Sequence, residues 1–150
     1  MNKGATLKEQ ADINILFPKP QSVGERPWGT EDLLALVSKQ FSVKRLRVKA
    51  GSKGGLQYHR LKDEVAIMIS GRMLIRYDLG DKVLHEKIIE AGDVVHFPPG
   101  LVHQEEALTD CELIEASSPH FNDRVRVEDL YGLGDPLGLP TTEEHEVELR

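Results

Sequence analysis

The sequence contains little that would cross-link, export or anchor the chain. Its 150 residues include a single cysteine, Cys111, which excludes a disulfide within one chain and fits a reducing compartment. The opening segment MNKGATLKEQADINILFPKPQ lacks the apolar core of a signal peptide. No stretch approaches the roughly 20 apolar residues that a membrane helix needs. We therefore expect a soluble, cytoplasmic protein without membrane contact.

The sequence also has fewer basic than acidic residues. Acidic residues number 25 against 19 basic ones, so the formal net charge is −6. This balance argues against a nucleic-acid surface as the main function of the chain. The apolar fraction of 39% and the charged fraction of 29% are typical of globular proteins. A chain of this length predicts one domain with its own core.

Strand-like patterns dominate the middle of the chain. The segment FSVKRLRV (41–48) alternates between apolar and polar residues, and EVAIMISGRMLIRYDL (64–79) is rich in β-forming residues. Gly71 divides the second segment at an expected bend or bulge. Turn signals follow about every 8 to 12 residues, which is typical of a sandwich or barrel. The pattern predicts an all-β fold.

One segment permits two structures. In TEDLLALVSKQ (30–40), Thr30 could cap a helix with Leu33, Leu34 and Val37 on one face. A β-hairpin that turns at SKQ competes closely with this helix. Both interpretations stay open from the sequence.

Composition divides the chain into three parts. Residues 1–22 end in FPKPQ, whose prolines favour an extended N-terminal arm. Residues 23–132 carry the strand pattern and form the expected domain. Residues 133–150 are rich in glycine and proline and then acidic, so we expect a tail that is loosely packed or covers a sheet edge.

Two polar motifs carry the candidate chemistry. Gln57 and His59 are two residues apart, so they would share one face of a strand. Taken alone, this stretch could be a polar hairpin, and a lone strand histidine is more often structural than a ligand. The joint spacing of both motifs favours a metal site. Their positions are Gly51, Gln57, His59, Glu64 and Gly71 in the first, and Gly92, Pro98, Gly100 and His103 in the second.

These spacings resemble the paired motifs of the cupin superfamily. The resemblance implies a double-stranded β-helix, or jelly-roll barrel, in which one divalent metal is bound by Gln57, His59, Glu64 and His103. Such a nitrogen and oxygen donor set suits Zn, Mn, Fe, Ni or Co without selecting among them. Two letters depart from the usual pattern, because Gln57 replaces a histidine and Ala107 replaces an asparagine.

Other stretches resemble the cupin domain of type II mannose-6-phosphate isomerases, a family often fused to mannose-1-phosphate guanylyltransferase. VGERPWG (23–29) is similar to the start of that domain, and FNDRVRVEDLYG (121–132) is similar to its end. The Gln-x-His start of the metal site also matches. Val65, Ala66 and Leu133 differ from the residues that the family has at these positions. The resemblance therefore supports the fold and the metal site more strongly than it supports a mannose substrate.

The resemblance also suggests residues for substrate binding and catalysis. Arg126 matches a family cation and is expected to contact an anionic or carbonyl substrate, although an ion pair with the acidic residues after it is an equal alternative. Lys44 and Lys53 are weaker candidates for a phosphate or carboxylate, because VKRLRVK is first of all the outward face of a strand. His96, just before Pro98, is a candidate acid or base.

Two classes of function follow from this resemblance. The first is metal-dependent isomerisation or epimerisation of a sugar or sugar phosphate through an enediolate, with an iron-dependent dioxygenase as the enzymatic alternative. The second is a non-catalytic, small-molecule-binding or regulatory cupin. Cupin barrels commonly pair through an edge sheet, so we expect a homodimer in which the N-terminal arm could be exchanged.

Overall fold

Two antiparallel sheets enclose the interior in the computed structural model, which describes residues 14–134 and 138–150. In spatial order, the first sheet contains β1 (Gln21–Arg26), β2 (Gly29–Val37), β3 (Phe41–Val48), β10 (Cys111–Ser117), β5 (Glu64–Ser70) and β8 (Val94–Phe97). The second contains β12 (Val125–Arg126), β4 (Gln57–Tyr58), β9 (Val102–Ala107), β6 (Arg72–Asp78) and β7 (His85–Glu90). A ribbon pairs β11 (His120–Phe121) with β13 (Glu148–Leu149), and single 3-10 turns span Glu128–Tyr131 and Glu144–Glu146. The all-β prediction is confirmed.

The segment 30–40 forms a hairpin, so the hairpin interpretation is correct and the helix is wrong. Strand β2 pairs with β3 from Gly29 to Val37, and the turn closes with a 2.9 Å hydrogen bond from the Gln40 amide to the Val37 carbonyl. The register shifts between Leu33 and Ala35. This bulge breaks the strand period and produces the apolar spacing that resembles a helix.

The inward face of the barrel changes from apolar to polar along its strands. On β10, alternate residues are buried, beginning with Cys111 and Leu113 and continuing with Glu115 and Ser117. On β9, Ala107 joins the core, whereas His103 and Glu105 line a cavity. The apolar cluster consists of Ala66, Met68, Met73, Ile75, Ile89, Phe97, Ala107, Cys111 and Leu113. The polar remainder of the interior is therefore available for a site.

The C-terminal segment covers an edge of the second sheet. Strand β12 lies at the edge of this sheet, and residues 138–142 cover its outer side. The Thr142 amide donates to the Arg124 carbonyl, and the Arg126 amide donates to Thr141 Oγ1. The two arginine side chains also donate to main-chain carbonyls of this segment, at Pro140 and Leu139. Of the two expectations for the tail, the structure shows the edge cover in residues 138–150.

The predicted N-terminal arm falls largely on residues 1–13, which lie outside the described residues. Residues 14–20 have no regular secondary structure, and Ile15, Leu16 and Phe17 are exposed. Strand β1 begins at Gln21. Among residues 14–134 and 138–150, no helix has the length and hydropathy to cross a bilayer.

Gly71 joins β5 to β6 at a point where β10 passes directly beneath it. Its φ is +89°, and a Cβ atom there would lie 2.2 Å from the Asp110 carbonyl oxygen and 2.9 Å from the Cys111 Cα. Gly92 has a similar φ of +91°, but a Cβ there would meet nothing within 4 Å. The bend predicted at Gly71 is thus present, and it requires glycine for both conformation and space.

We expect Gly71→Ala to destabilise the protein far more than Gly92→Ala. The Gly92 variant should lose about 1–2 kcal/mol of unfolding free energy, the cost of a left-handed backbone in an L-residue. The Gly71 variant should lose at least about 3 kcal/mol, because its methyl group also forces β10 to shift. Urea denaturation of both variants measures the difference, and equal losses would contradict this account of the contact.

Candidate metal centre

Three buried side chains converge between the sheets. They come from the residue after β4, the first residue of β5 and strand β9, namely His59, Glu64 and His103. His59 Nε2 lies 3.3 Å from Glu64 Oε1, and His103 Nε2 lies 3.6 Å from the same oxygen. One ligand atom from each residue falls within 4.8 Å of the others. This clustering brings together three of the four predicted ligands.

Main-chain carbonyls determine which imidazole nitrogens face the carboxylate. His59 Nδ1 donates to the Asp123 carbonyl at 2.5 Å, and His103 Nδ1 donates to the Leu101 carbonyl at 2.9 Å. A carbonyl only accepts, so each Nδ1 carries a proton and each Nε2 is the nitrogen that faces Glu64. An Nε2 that carries a proton donates it to the Glu64 carboxylate, and an Nε2 without one presents the lone pair that a divalent cation requires of a histidine ligand.

Gln57 lies beside this triad. It is the direct cross-strand partner of His103 in the β4–β9 pair, so the two side chains share a face of the sheet. Both line a cavity of about 190 Å³ together with His59 and Glu64. Two imidazoles, a carboxylate and a neighbouring amide oxygen fit a divalent metal ion of the borderline class.

A buried ion-pair network lies behind the triad. Lys62 Nζ is 2.5 Å from Glu64 Oε2 and 2.7 Å from Glu115 Oε1. Burial would lower the pKa of Lys62, but the Glu115 and Glu64 carboxylates outweigh it, so the ammonium stays charged. Burial would likewise raise the pKa of Glu64, but Lys62 and hydrogen bonds from His103 and His59 hold it well below its usual range. Glu64 is therefore anionic.

Asp123 orders the loop that connects His59 to Glu64. Its carboxylate accepts hydrogen bonds from the amides of Arg60, Leu61 and Lys62 at 3.1, 2.7 and 2.9 Å. Burial acts to raise the pKa of Asp123, but these amides lower it below its ordinary value. Because the carbonyl of the same residue holds the His59 ring, Asp123 positions both this ring and the loop that follows it. Sequence reasoning missed this residue.

Glu105 is a second residue that sequence reasoning missed. It follows His103 by two positions on β9, so both side chains face the cavity. Burial and the nearby Glu64 carboxylate raise the pKa of Glu105 to about 7. Strand alternation was the available signal, since it places every second residue after His103 on the same face.

The structure separates the four remaining predicted site residues from the cavity. His96 is exposed on β8, where its Nε2 lies 2.6 Å from Asp63 Oδ1. Its neighbour Phe97 faces inward and stacks on the His103 ring at 4.2 Å, so alternation turns His96 outward. Lys53 is also exposed.

Two predicted cations are held in ion pairs. Lys44 does not face outward as expected, because it lies opposite inward-facing Glu115; its Nζ is 2.9 Å from Glu31 Oε1. The Arg126 side chain is 8% exposed and donates through Nε to Glu128 Oε1 at 2.9 Å, which is the ion-pair alternative for this residue. Neither side chain lines the cavity.

Comparison with known proteins assigns the family. A family model described as cupin matches residues 15–126. The chain is a cupin. This cupin is 34% identical over 112 residues to the xanthan biosynthesis protein XanB of Xanthomonas campestris pv. campestris. The matched segment covers 71% of this chain and 23% of XanB. It is 30% identical over 112 residues to the alginate biosynthesis protein AlgA of Pseudomonas aeruginosa, and this match covers 71% of this chain and 22% of AlgA.

The fold is shared with solved cupins at lower identity. Oxalate decarboxylase from Bacillus subtilis superposes with a TM-score of 0.63 at 20% identity, over 79% of this chain and 33% of that one. These matches confirm the jelly-roll barrel and the resemblance to the cupin domain of type II mannose-6-phosphate isomerases. The cupin spans about a quarter of the length of XanB and AlgA.

We expect His103→Ala to abolish stable metal binding, whereas His96→Ala keeps it. Removing one of two imidazoles should weaken affinity more than about 100-fold, since outer-shell changes alone cost roughly 10–100-fold. Metal content after dialysis, together with the rise in Tm on adding Zn²⁺ or Mn²⁺, measures both variants. If the His103 variant retains one metal per chain, the ligand assignment is wrong.

Proposed function

We propose that this cupin binds one divalent metal ion, from among Zn, Mn, Fe, Ni and Co, through His59, Glu64 and His103, with the Gln57 amide oxygen as fourth donor. The observation that carries this proposal is that main-chain carbonyls hold the Nδ1 atoms of two histidines, so that both Nε2 atoms converge on one buried carboxylate. A divalent cation held there would polarise the carbonyl oxygen of a bound ligand and would stabilise negative charge that develops on it.

The reaction that this site supports best is interconversion of an aldose and a ketose. Such a reaction transfers a proton between adjacent carbon atoms, so it needs a group that removes the proton and returns it. The surrounding cavity is small and lies between two sheets, so a ligand bound there would be held beside the candidate metal ligands. The names of XanB and AlgA refer to biosynthesis of xanthan and alginate, and this supports a carbohydrate as the substrate class.

Glu105 is the proposed proton carrier. Its carboxyl lines the same cavity as the four metal-binding candidates and follows His103 by two positions on β9, so it lies on the same face as this candidate ligand. The exposed position of His96 leaves that histidine outside this role. Arg126, through its contacts with Glu128 and the C-terminal segment, supports the wall next to Gly55.

We expect Glu105→Gln to lower kcat for sugar interconversion by about 10²–10⁴-fold, because the amide cannot accept the proton. Metal content should stay at the wild-type value. The matched control is Glu106→Gln on the same strand, since Glu106 pairs with Arg76 at 2.8 Å and does not line the cavity. Coupled assays with a panel of aldoses and ketoses measure both.

Three outcomes would redirect this proposal. Wild-type activity in Glu105→Gln would remove the residue from proton transfer. A metal-loaded wild-type protein that binds sugars but interconverts none of them would favour the alternative, a non-catalytic sugar-binding cupin. Oxygen consumption with the Fe²⁺-loaded protein would instead favour dioxygenase chemistry.

We also propose that the cupin forms a homodimer through the outer face of the first sheet. Ile67 and Val94 are cross-strand partners there, and they are 36% and 61% exposed. Ile69, on the same face of β5, is 48% exposed, and Ile114 pairs with Ile67 from β10. Adjacent apolar side chains of this kind mark interaction surfaces.

We expect Val94→Lys to convert the dimer to a monomer, because an ammonium group would enter the apolar face. Ile88→Lys is the matched control, since Ile88 is 44% exposed on β7 of the second sheet. Light scattering during size-exclusion chromatography gives the mass of each variant. A monomeric wild-type protein, or a dimeric Val94 variant, would contradict the proposed interface.

A further inference from the structure

The geometry points to an uncharged polyhydroxy ligand for this cavity, with discrimination against the phosphorylated form of the same sugar. This inference rests on the proposed function and narrows its substrate class. It follows from three properties of the described residues: the charges that line the cavity, the positions of the other candidate cations, and the division of the lining into polar and apolar walls.

The charged lining is predominantly acidic. Three carboxylates, those of Glu64, Glu105 and Glu115, face the cavity, and Lys62 is the one lysine or arginine among its described lining residues. The Lys62 ammonium already contacts two of these carboxylates, at 2.5 and 2.7 Å. With all three carboxylates ionised, a bound divalent cation would bring the lining to formal neutrality. Among the described lining residues, no lysine or arginine lacks a carboxylate partner, so a phosphate would find no free cation there and would meet carboxylates at close range.

The cations expected to hold an anionic group are engaged elsewhere. Lys44 pairs with Glu31 and lies over the ring of Phe121, with its Nζ 4.7 Å from the ring centroid. Arg126 contacts Glu128 and donates to the Leu139 carbonyl. The strands and loops around the cavity also offer no helix N-terminus within the described residues, so neither of the usual phosphate-binding devices is present there.

The cavity is instead suited to hydroxyl groups on one side and C–H groups on the other. Carboxylate and amide oxygens accept hydrogen bonds from hydroxyl donors, and Lys62 and Ser52 are further polar lining residues. Trp28, Leu46 and Val48 form the apolar part on the first sheet. A volume of about 190 Å³ lies below the roughly 300–1,000 Å³ of pockets for drug-sized ligands, so the ligand is compact.

Gly29 places Trp28 at this wall. Its φ is +147°, and a Cβ atom there would lie 1.8 Å from the Arg47 carbonyl oxygen, so β2 approaches β3 closely at this point. The Trp28 carbonyl accepts the Lys49 amide at 2.8 Å. The indole ring thereby offers a flat apolar surface to a sugar ring. Trp28 is the only tryptophan of the sequence, so its fluorescence reports directly on the cavity.

The test compares neutral sugars with their phosphates on the Zn²⁺-loaded protein. D-Mannose, D-glucose and D-fructose, and the 6-phosphate of each, are titrated while Trp28 fluorescence is followed, with calorimetry as a second readout. We expect saturable binding of at least one neutral sugar and at least 10-fold weaker binding of its phosphate. A phosphate that binds as tightly as its parent sugar, or a panel in which no neutral sugar binds, would overturn the inference.

A charge-removal variant tests the physical cause. Glu115→Gln frees the Lys62 ammonium from one carboxylate, so the preference for the neutral sugar over its phosphate should fall at least 3-fold. Glu112→Gln, on the outward face of the same strand, is the control and should keep the wild-type preference. An unchanged preference in Glu115→Gln would show that lining charge does not set it.

These results remain separable from those on the proposed reaction. Neutral sugars that bind but are not interconverted would leave this inference standing and remove the isomerase. Phosphates that bind and are interconverted, with no binding of neutral sugars, would do the reverse.

Discussion

The buried carboxylate of Glu64 is the constraint on which the rest of the site depends. An ionised carboxylate in a protein interior is stable only when charged partners and hydrogen-bond donors surround it. Glu64 obtains them from His59, His103 and Lys62, which lie on a loop, on β9 and on the segment just before β5. The two sheets must therefore keep one relative position, and this position also forms the cavity.

Around this centre, the structure separates groups that orient ligands from groups that set charge. The carbonyls of Asp123 and Leu101 fix the two imidazoles, and the Asp123 carboxylate fixes the loop between His59 and Glu64. Lys62 and Glu115 then extend the electrostatic network into the cavity wall. The orientation of the two imidazoles makes the site suitable for a metal ion, whereas the charge of the cavity lining determines which organic ligands can bind beside that ion.

Much of the fold and part of the site could be predicted from the sequence. Turn spacing and strand patterns indicated the all-β class, and the spacing of the two motifs predicted that one site contains Gln57, His59, Glu64 and His103, which line one cavity. Local periodicity failed where a bulge altered it, as at Leu34 in β2. It could not pair Lys62 with Glu115, because that contact depends on strand order and register across 53 positions. His96 was misplaced because its direction depends on which β8 residue faces inward, and that residue is Phe97.

The close packing beneath Gly71 also has a chemical consequence. It buries the sulfur of Cys111, which donates to the carbonyls of Arg72 and Thr109, and burial raises the pKa of the thiol. The thiolate is the reactive form of cysteine, so the one native thiol is protected from alkylating reagents. A cysteine introduced at the cavity entrance would then be the single reactive sulfur in the chain. A spin label or fluorophore attached there could report on the cavity without prior replacement of Cys111.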